Sequence, residues 1–221
     1  PKMVVKAGEK VNAGDVLFYN KYQTSVKCVS PISGTVRDVV RGEKRKILEV
    51  IVDSDGQQSY STFTPLDLNT ASREDVKENM LNAGLWMFIK QRPIDIVANP
   101  ETTPKAIFVS TFDSSPLAAD NDFMLHGESA NFQAGLNALA KLTDGKVHLT
   151  LNGSGAQDIV FTGAQNVQIN SIVGKHPAGN VGTQIHHIDP INKGELVWTV
   201  NAQDVMIIGR SLLSGKFDGT K

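Results

Sequence analysis

Residues 5–17, VKAGEKVNAGDVL, and residues 29–36, VSPISGTV, determine the architecture of the first part of the chain. Short valine-rich runs alternate here with glycine turns such as Ala13-Gly14-Asp15. Strands of a few residues between such turns are typical of a small all-β unit. Ser54-Asp55-Gly56 marks a sharp turn at its end, so we predict a β module over residues 1–56.

The two quoted segments resemble biotinyl/lipoyl domains, in which a paired G-x-x-V-x-x-G-D-x-L turn precedes a hairpin and an A/S-P-x-x-G-x-V strand follows it. These domains carry their cofactor on a lysine at the hairpin tip. Counting back eight residues from Pro31, where that lysine normally stands, gives Gln23, and a carboxamide cannot form the amide link to biotin or lipoate. Lys21 and Lys27 are out of register. The resemblance therefore implies a barrel-sandwich module with no covalently bound cofactor.

From residue 105 onward the pattern changes to strands that alternate with helices. The predicted strands are 106–111, 146–151, 167–172 and 196–200, and the predicted helices are 129–142 and 203–213. Such alternation favours an α/β layer fold with a mostly parallel sheet. We predict a Rossmann-like α/β layered domain over residues 105–215, followed by a tail at 216–221.

A connecting segment, residues 57–104, joins the two predicted domains. It holds one predicted helix, because Thr70-Ala71-Ser72 offers a hydroxyl N-cap and acidic residues follow in the first turn. We expect this helix to run to between Trp86 and Lys90. It should end before Arg92-Pro93, because the residue ahead of a proline avoids helical dihedral angles.

Charge and cysteine content exclude several classes of function. The 22 lysines and arginines nearly balance the 23 aspartates and glutamates, so the chain lacks the basic surplus of a nucleic-acid-binding protein. The longest apolar candidate, residues 205–213, is cut by Gly209-Arg210 and is too short to span a bilayer. The single cysteine, Cys28, excludes an internal disulfide, an iron–sulfur cluster and a thiolate zinc site, and a reducing, cytosolic setting fits best.

The densest group of chemically active side chains lies in residues 174–190, GKHPAGNVGTQIHHIDP. Its glycines would let backbone N–H groups approach an anion, but their spacing matches neither a dinucleotide fingerprint nor a P-loop. The loop has three open interpretations: a structural loop or subunit contact, a lining for quinone or another ligand, and a metal site. Asp113, beyond the first α/β strand, is placed either to contact a ligand or to stabilise its own turn.

We predict no catalytic residue, no cofactor-binding residue and no metal site, since adjacent histidines rarely both face one ion. The candidate contacts for quinone or a partner are Asp113, His176, Gly179, Gly182, His186 and His187. Imidazole could donate to a quinone carbonyl. No spacing in the sequence establishes that contact.

Five segments together resemble one protein family, the A subunit of bacterial sodium-translocating NADH:quinone oxidoreductases. They are residues 41–45 (RGEKR), 83–86 (AGLW), 116–120 (PLAAD), 142–149 (LTDGKVHL) and 176–190. The combination is specific although no single motif is, and it runs across nearly the whole chain. A weaker similarity extends to the C subunit of the Rnf ferredoxin:NAD oxidoreductase and to the flavin-binding subunit of respiratory complex I.

The resemblance implies a peripheral protein on the cytoplasmic face of the bacterial inner membrane, whose chief partner is the membrane-embedded B subunit. It also implies a role in quinone binding, while the flavins and the iron–sulfur centre would belong to other subunits. Complex I relatives bind flavin through an R-G-x-x-G-F-P-like loop and Rnf relatives carry cysteine clusters; this sequence has neither. Because the family also has a β-grasp domain and a helical region, we expect the chain to be an interior piece of about half the full-length protein, inactive by itself.

Two rival functions stay open at this point. The first is an independent nucleotide-binding oxidoreductase that uses the α/β layer, although the glycine fingerprint for a dinucleotide is missing. The second is an acyl carrier, which Gln23 disfavours.

Overall fold

The computed structural model describes residues 1–220. Its first part is a barrel-sandwich of two antiparallel three-stranded sheets, ordered β1-β3-β4 and β2-β5-β6. The strands are β1 (Lys2–Met3), β2 (Lys10–Val11), β3 (Val16–Asn20), β4 (Gln23–Val29), β5 (Gly34–Arg41) and β6 (Ile47–Ser54). Val5, Val11, Leu17 and Val36 form a small core between the sheets. The predicted β module is confirmed.

The tip of the hairpin that joins β3 to β4 does not lie at the predicted position, Gln23. Asn20 pairs with Gln23, so Lys21 and Tyr22 form the turn and Gln23 is the first residue of β4. The register between β3 and β4 shifts next to Asn20, so a fixed count along the chain from Pro31 does not reach the turn. Lys21 lies over the ring of Tyr22, with its Nζ 4.9 Å from the ring centroid.

The second part is a layered α/β structure. Its elements are α1 (Arg73–Asn82), β7 (Lys90–Arg92), β8 (Ile96–Val97), β9 (Ile107–Ser110), α2 (Asn121–Leu125), α3 (Ser129–Lys141), β10 (Val147–Asn152), α4 (Ile159–Thr162), β11 (Gln168–Ile172), α5 (Val181–Ile188), β12 (Val197–Asn201) and α6 (Ala202–Ser214). They build a six-stranded sheet in the order β11-β10-β9-β12-β7-β8. Strands β11, β10, β9 and β12 are parallel to their neighbours, which confirms the predicted α/β class. Strand β7 pairs antiparallel with β12, and β8 pairs antiparallel with β7.

Helix α1 is shorter than the sequence predicted. A capping box starts it: the Ser72 hydroxyl accepts from the Asp75 N–H, and the Asp75 carboxylate accepts from the Ser72 N–H. The helix ends at Asn82 because Gly84 adopts a left-handed conformation with φ 74°. A 3₁₀ turn, Leu85–Phe88, then leads directly into β7.

Two of the strands, β7 and β8, lie within residues 57–104, which were predicted to be a connecting segment. That segment contributes to the main core through Trp86, which is fully buried and meets Trp198 of β12 edge to face with ring centroids 5.4 Å apart. Val26 and Val29 of the β module belong to the same core. One continuous apolar core therefore joins the β module to the α/β layer.

The two faces of the large sheet are covered differently. Helices α3 and α6 pack against each other in the main core. Ile185 of α5 instead packs with Ala106, Phe108 and Val197 in a separate apolar cluster. Within residues 1–220, none of the helices is both long enough and apolar enough to cross a membrane.

Because of His148 in β10, we expect the stability of the fold to depend measurably on pH. Its ring stacks on Phe108 with centroids 4.6 Å apart, and burial lowers the pKa of this imidazole below its usual value. Because the unfolded chain then binds the proton more readily, the neutral imidazole stabilises the folded state above about pH 6.5. This stabilisation is lost as the pH falls below that value. We expect urea unfolding to show this loss, His148→Phe to reduce it, and His187→Gln, at an exposed histidine, to leave it unchanged.

Candidate switch-point cleft

The strand order reverses between β9 and β12. From β9 the chain adds β10 and β11 on one side and then returns to place β12 on the other. Open α/β sheets bind ligands at this switch point, beyond the carboxyl ends of the strands. A cleft of about 610 Å³ opens there, which we call the switch-point cleft. It is lined by Lys90, Arg92, Asp95, Ser110, Phe112, Asp113, Ser115, Ala119, Asn121, Met124, His176, Gly179, Asn180, Val181, Thr199, Asn201, Ala202 and Gln203.

One wall of the cleft consists of the loops that follow β9 and β11. The Ser114 hydroxyl lies 3.2 Å from His176 Nδ1, and the Gly179 N–H donates to Ser114 Oγ at 2.8 Å. A Cβ on Gly179 would overlap the backbone of Asp113 and Ser114. Glycine is therefore needed at residue 179 for the two loops to meet.

Asp113 fits both interpretations that the sequence left open. Its Oδ1 accepts hydrogen bonds from the Ser115 N–H at 2.8 Å and the Ser115 hydroxyl at 2.7 Å. These bonds hold the pKa of the Asp113 carboxyl below its usual value. The carboxylate stabilises its own turn and also lines the cleft.

Strand β7 supplies another part of the lining. Arg92 Nη1 lies 3.3 Å from Asp95 Oδ1, and Nη2 packs against Gly182 in the first turn of α5, 3.2 Å from where a Cβ on that glycine would stand. Lys90, two residues earlier, belongs to the same part of the lining. Neither cation was predicted from the sequence, because β7 has only three residues and pairs with β12, about a hundred residues later in the chain.

Helix α5 separates the predicted candidates. His176 and Gly179 line the cleft, and Gly182 lies behind Arg92. His186 and His187 lie at the carboxyl end of α5, exposed and outside the lining, with His187 Nδ1 2.9 Å from the Thr183 carbonyl oxygen. The structure therefore does not bring all six candidates into one lining, because the helix carries its last turn away from the cleft.

No set of three histidine, cysteine or acidic side chains in residues 1–220 is arranged to hold a metal ion. The polar groups of the switch-point cleft are instead a mixture of hydroxyls, amides, one imidazole, two cationic side chains and two carboxylates. This set can bind a polar ligand through hydrogen bonds and charge.

A second, apolar cavity of about 290 Å³ lies where the β module meets the α/β layer, and we call it the junction pocket. Its lining residues are Pro1, Phe18, Asn20, Val26, Cys28, Met87 and Val97. Cys28 is a partly buried residue of β4, and burial raises the pKa of its thiol. Asn20 contributes a side-chain amide to this lining, and its Oδ1 accepts a hydrogen bond from the Tyr22 N–H at 3.0 Å.

Comparison with known families identifies both halves of this architecture. The model of the NqrA N-terminal barrel-sandwich hybrid domain matches residues 1–55, and that of the NqrA second alpha/beta domain matches residues 71–217. The chain belongs to the NqrA family. The second match begins at residue 71, so the NqrA α/β domain includes α1, β7 and β8.

Curated relatives of this NqrA-family chain extend along nearly its whole length. The A subunit of the Na(+)-translocating NADH-quinone reductase from Saccharophagus degradans is 40% identical over 98% of this chain. The corresponding proteins from Hahella chejuensis and Neisseria gonorrhoeae are 39% and 36% identical over 98% and 99% of it. The matched region is 48% to 49% of each relative, so the chain spans about half the length of these proteins.

Proposed function

We propose that this chain forms part of the A subunit of a sodium-translocating NADH:quinone oxidoreductase, as a peripheral portion on the cytoplasmic face of the bacterial inner membrane. In this role it docks on the membrane-embedded B subunit, contributes to quinone binding and holds no redox centre of its own. Family membership across both domains supports the place of this chain in the complex. The exposed pair His186 and His187 is a candidate contact for a partner protein of the complex.

The junction pocket is the observation that carries the quinone part of this proposal. A quinone has an apolar ring and tail with two carbonyl acceptors, so it needs an apolar cavity with a few well-placed donors. Phe18, Val26, Met87 and Val97 supply the apolar walls, and the Asn20 amide can donate to a carbonyl. The switch-point cleft is less suitable, because its lining includes charged side chains.

Photo-crosslinking in the whole complex tests the quinone proposal. A photoreactive quinone analogue should label peptides within residues 16–28 or 85–97, which contain the pocket walls. Val97→Phe fills the pocket and should reduce this labelling about tenfold, the equivalent of ~1.4 kcal/mol of binding. Val173→Phe, at an exposed valine outside the pocket, is the matched control. Label confined to other subunits would remove quinone binding from this chain.

The absence of a redox centre is tested by absorbance. The purified chain should show no flavin spectrum, because the loop after β9, residues 111–120, contains no glycine that would let the backbone approach a flavin or nucleotide phosphate. Stoichiometric flavin in the purified protein would contradict the proposal.

The position of the switch-point cleft favours one alternative, an independent nucleotide-dependent oxidoreductase. That function requires saturable binding of NADH or NAD, which calorimetry measures directly. We expect no binding, since a dinucleotide pyrophosphate normally rests on a glycine-rich turn, and the loop of residues 111–120 has no glycine. Tight, stoichiometric NADH binding would favour the alternative.

A further inference from the structure

We propose that the switch-point cleft binds a small hydroxylated metabolite that carries a phosphate group, with Arg92 and Lys90 at its anionic end. This cleft shares no lining residue with the junction pocket, to which the quinone proposal refers. The cleft volume of about 610 Å³ is within the usual range for small-molecule sites.

The placement of Arg92 is the strongest argument for an anion. Its guanidinium packs against Gly182, the second residue of α5, where the aligned N–H groups give the helix a positive end. Cations are normally found at the opposite end of a helix, because a positive charge at the N-terminus is repelled. The side chain is only 22% exposed, and its ion-pair partner Asp95 is 59% exposed. An anion in the cleft beside Arg92 would compensate the positive charge of both groups.

A second helix points its N-terminus into the same cleft. Ala202 and Gln203, the first two residues of α6, are part of the lining. Asn201 is the N-cap residue, yet its side chain accepts no hydrogen bond from the first turn; its amide instead donates to Asp204 at 2.9 Å. Lys90 on β7 pairs with Thr199, two residues before this cap. The cleft thus combines two cations and two helix N-termini with the carboxylates of Asp95 and Asp113, and its cationic end suits phosphate oxygens.

The remaining wall indicates what the rest of the ligand is like. Asp113 is ionised at neutral pH, since hydrogen bonds from Ser115 lower its pKa, and it can accept from a ligand hydroxyl. The carboxamide of Asn121 and the imidazole of His176 line the same region. These groups match the hydroxyls of a sugar or polyol. A phosphorylated sugar therefore fits the cleft better than inorganic phosphate alone.

Titration of the full chain with defined probes tests the proposal. We would use inorganic phosphate, pyrophosphate and ribose 5-phosphate, with uncharged ribose as the control ligand, and measure dissociation constants by calorimetry. Ribose 5-phosphate should bind saturably and more tightly than phosphate. Arg92→Gln should raise its dissociation constant at least about tenfold, since a charge-assisted hydrogen bond and its charge are lost. Lys90→Gln should give a smaller increase.

Arg37→Gln is the matched control, because Arg37 also forms an ion pair, with Asp53 at 3.2 Å, but lies in the β module. It should leave the dissociation constant unchanged. The proposal fails if none of the three phosphates binds saturably, if Arg92→Gln and Lys90→Gln both bind like the parent protein while remaining folded, or if Arg37→Gln weakens binding equally. Val97→Phe should leave phosphate binding intact, so loss of quinone labelling and loss of phosphate binding separate the two proposals.

Discussion

Replacing Gly209 by alanine is expected to destabilise the protein by about 2–3 kcal/mol, although the same change in an isolated helix would stabilise it by roughly 1 kcal/mol. Gly209 lies in α6 where this helix crosses α3. A Cβ at this position would overlap the carbonyl oxygen of Asn131 and stand 2.5 Å from the backbone nitrogen of Gly135. Neither atom can move without shifting α3, so strain outweighs the gain in helix propensity.

Urea unfolding of Gly209→Ala, followed by circular dichroism, measures the loss. Gly155→Ala is the control, since no atom lies within 4 Å of a Cβ at that glycine. Its stability should change by less than about 0.5 kcal/mol. Gly135→Ala should resemble Gly209→Ala, because a Cβ there would overlap the Val205 carbonyl oxygen. A Gly209→Ala protein as stable as its parent would contradict the close crossing of α3 and α6.

Local signals were sufficient to predict most of the fold. The β module follows from glycine turns at fixed spacing, and β9, β10, β11 and β12 follow from apolar runs that alternate with helical patterns. Each of these signals lies within the element that it specifies. The left-handed residue that ends α1 also has a local cause, Gly84, but the apolar pattern continues past it and the prediction followed the pattern.

Elements defined by distant partners were not predictable in the same way. Strands β7 and β8 have three and two residues, too few to show a period, and they exist because β12 pairs with β7. The hairpin tip was misplaced for a related reason, since the shift near Asn20 depends on β3 and β4 together.

The residues of the candidate site also divide into those that a local sequence signal predicts and those that depend on a distant strand partner. Asp113 and the loop of residues 174–180 were found because polar residues follow predicted strands, and strand ends meet at one edge of a parallel sheet. Arg92 and Lys90 carried no signal, because their strand was not predicted. His186 and His187 were grouped with His176 by sequence proximity, which an eight-residue helix does not preserve in space.

A substitution at the contact between the β module and the α/β layer should have the other large effect. Gly84→Ala is expected to cost about 2–4 kcal/mol of unfolding free energy. At φ 74° an alanine is strained, and its Cβ would lie 2.5 Å from Val29 Cγ1 and 2.8 Å from Val29 Cγ2. Urea unfolding gives the magnitude. Gly56→Ala, at a left-handed glycine with no atom within 4 Å of a Cβ, measures the backbone strain alone.

The double variant Val29→Ala/Gly84→Ala separates the clash from the strain. Val29→Ala removes both methyl groups that the new Cβ would meet, so the double variant should be more stable than the sum of the single effects predicts, by about 1–2 kcal/mol. Strict additivity would show that the two residues do not touch. Val26 of β4 and Met87 of the 3₁₀ turn after Gly84 both line the junction pocket. Gly84→Ala should therefore also reduce quinone labelling, and the double variant should restore part of it.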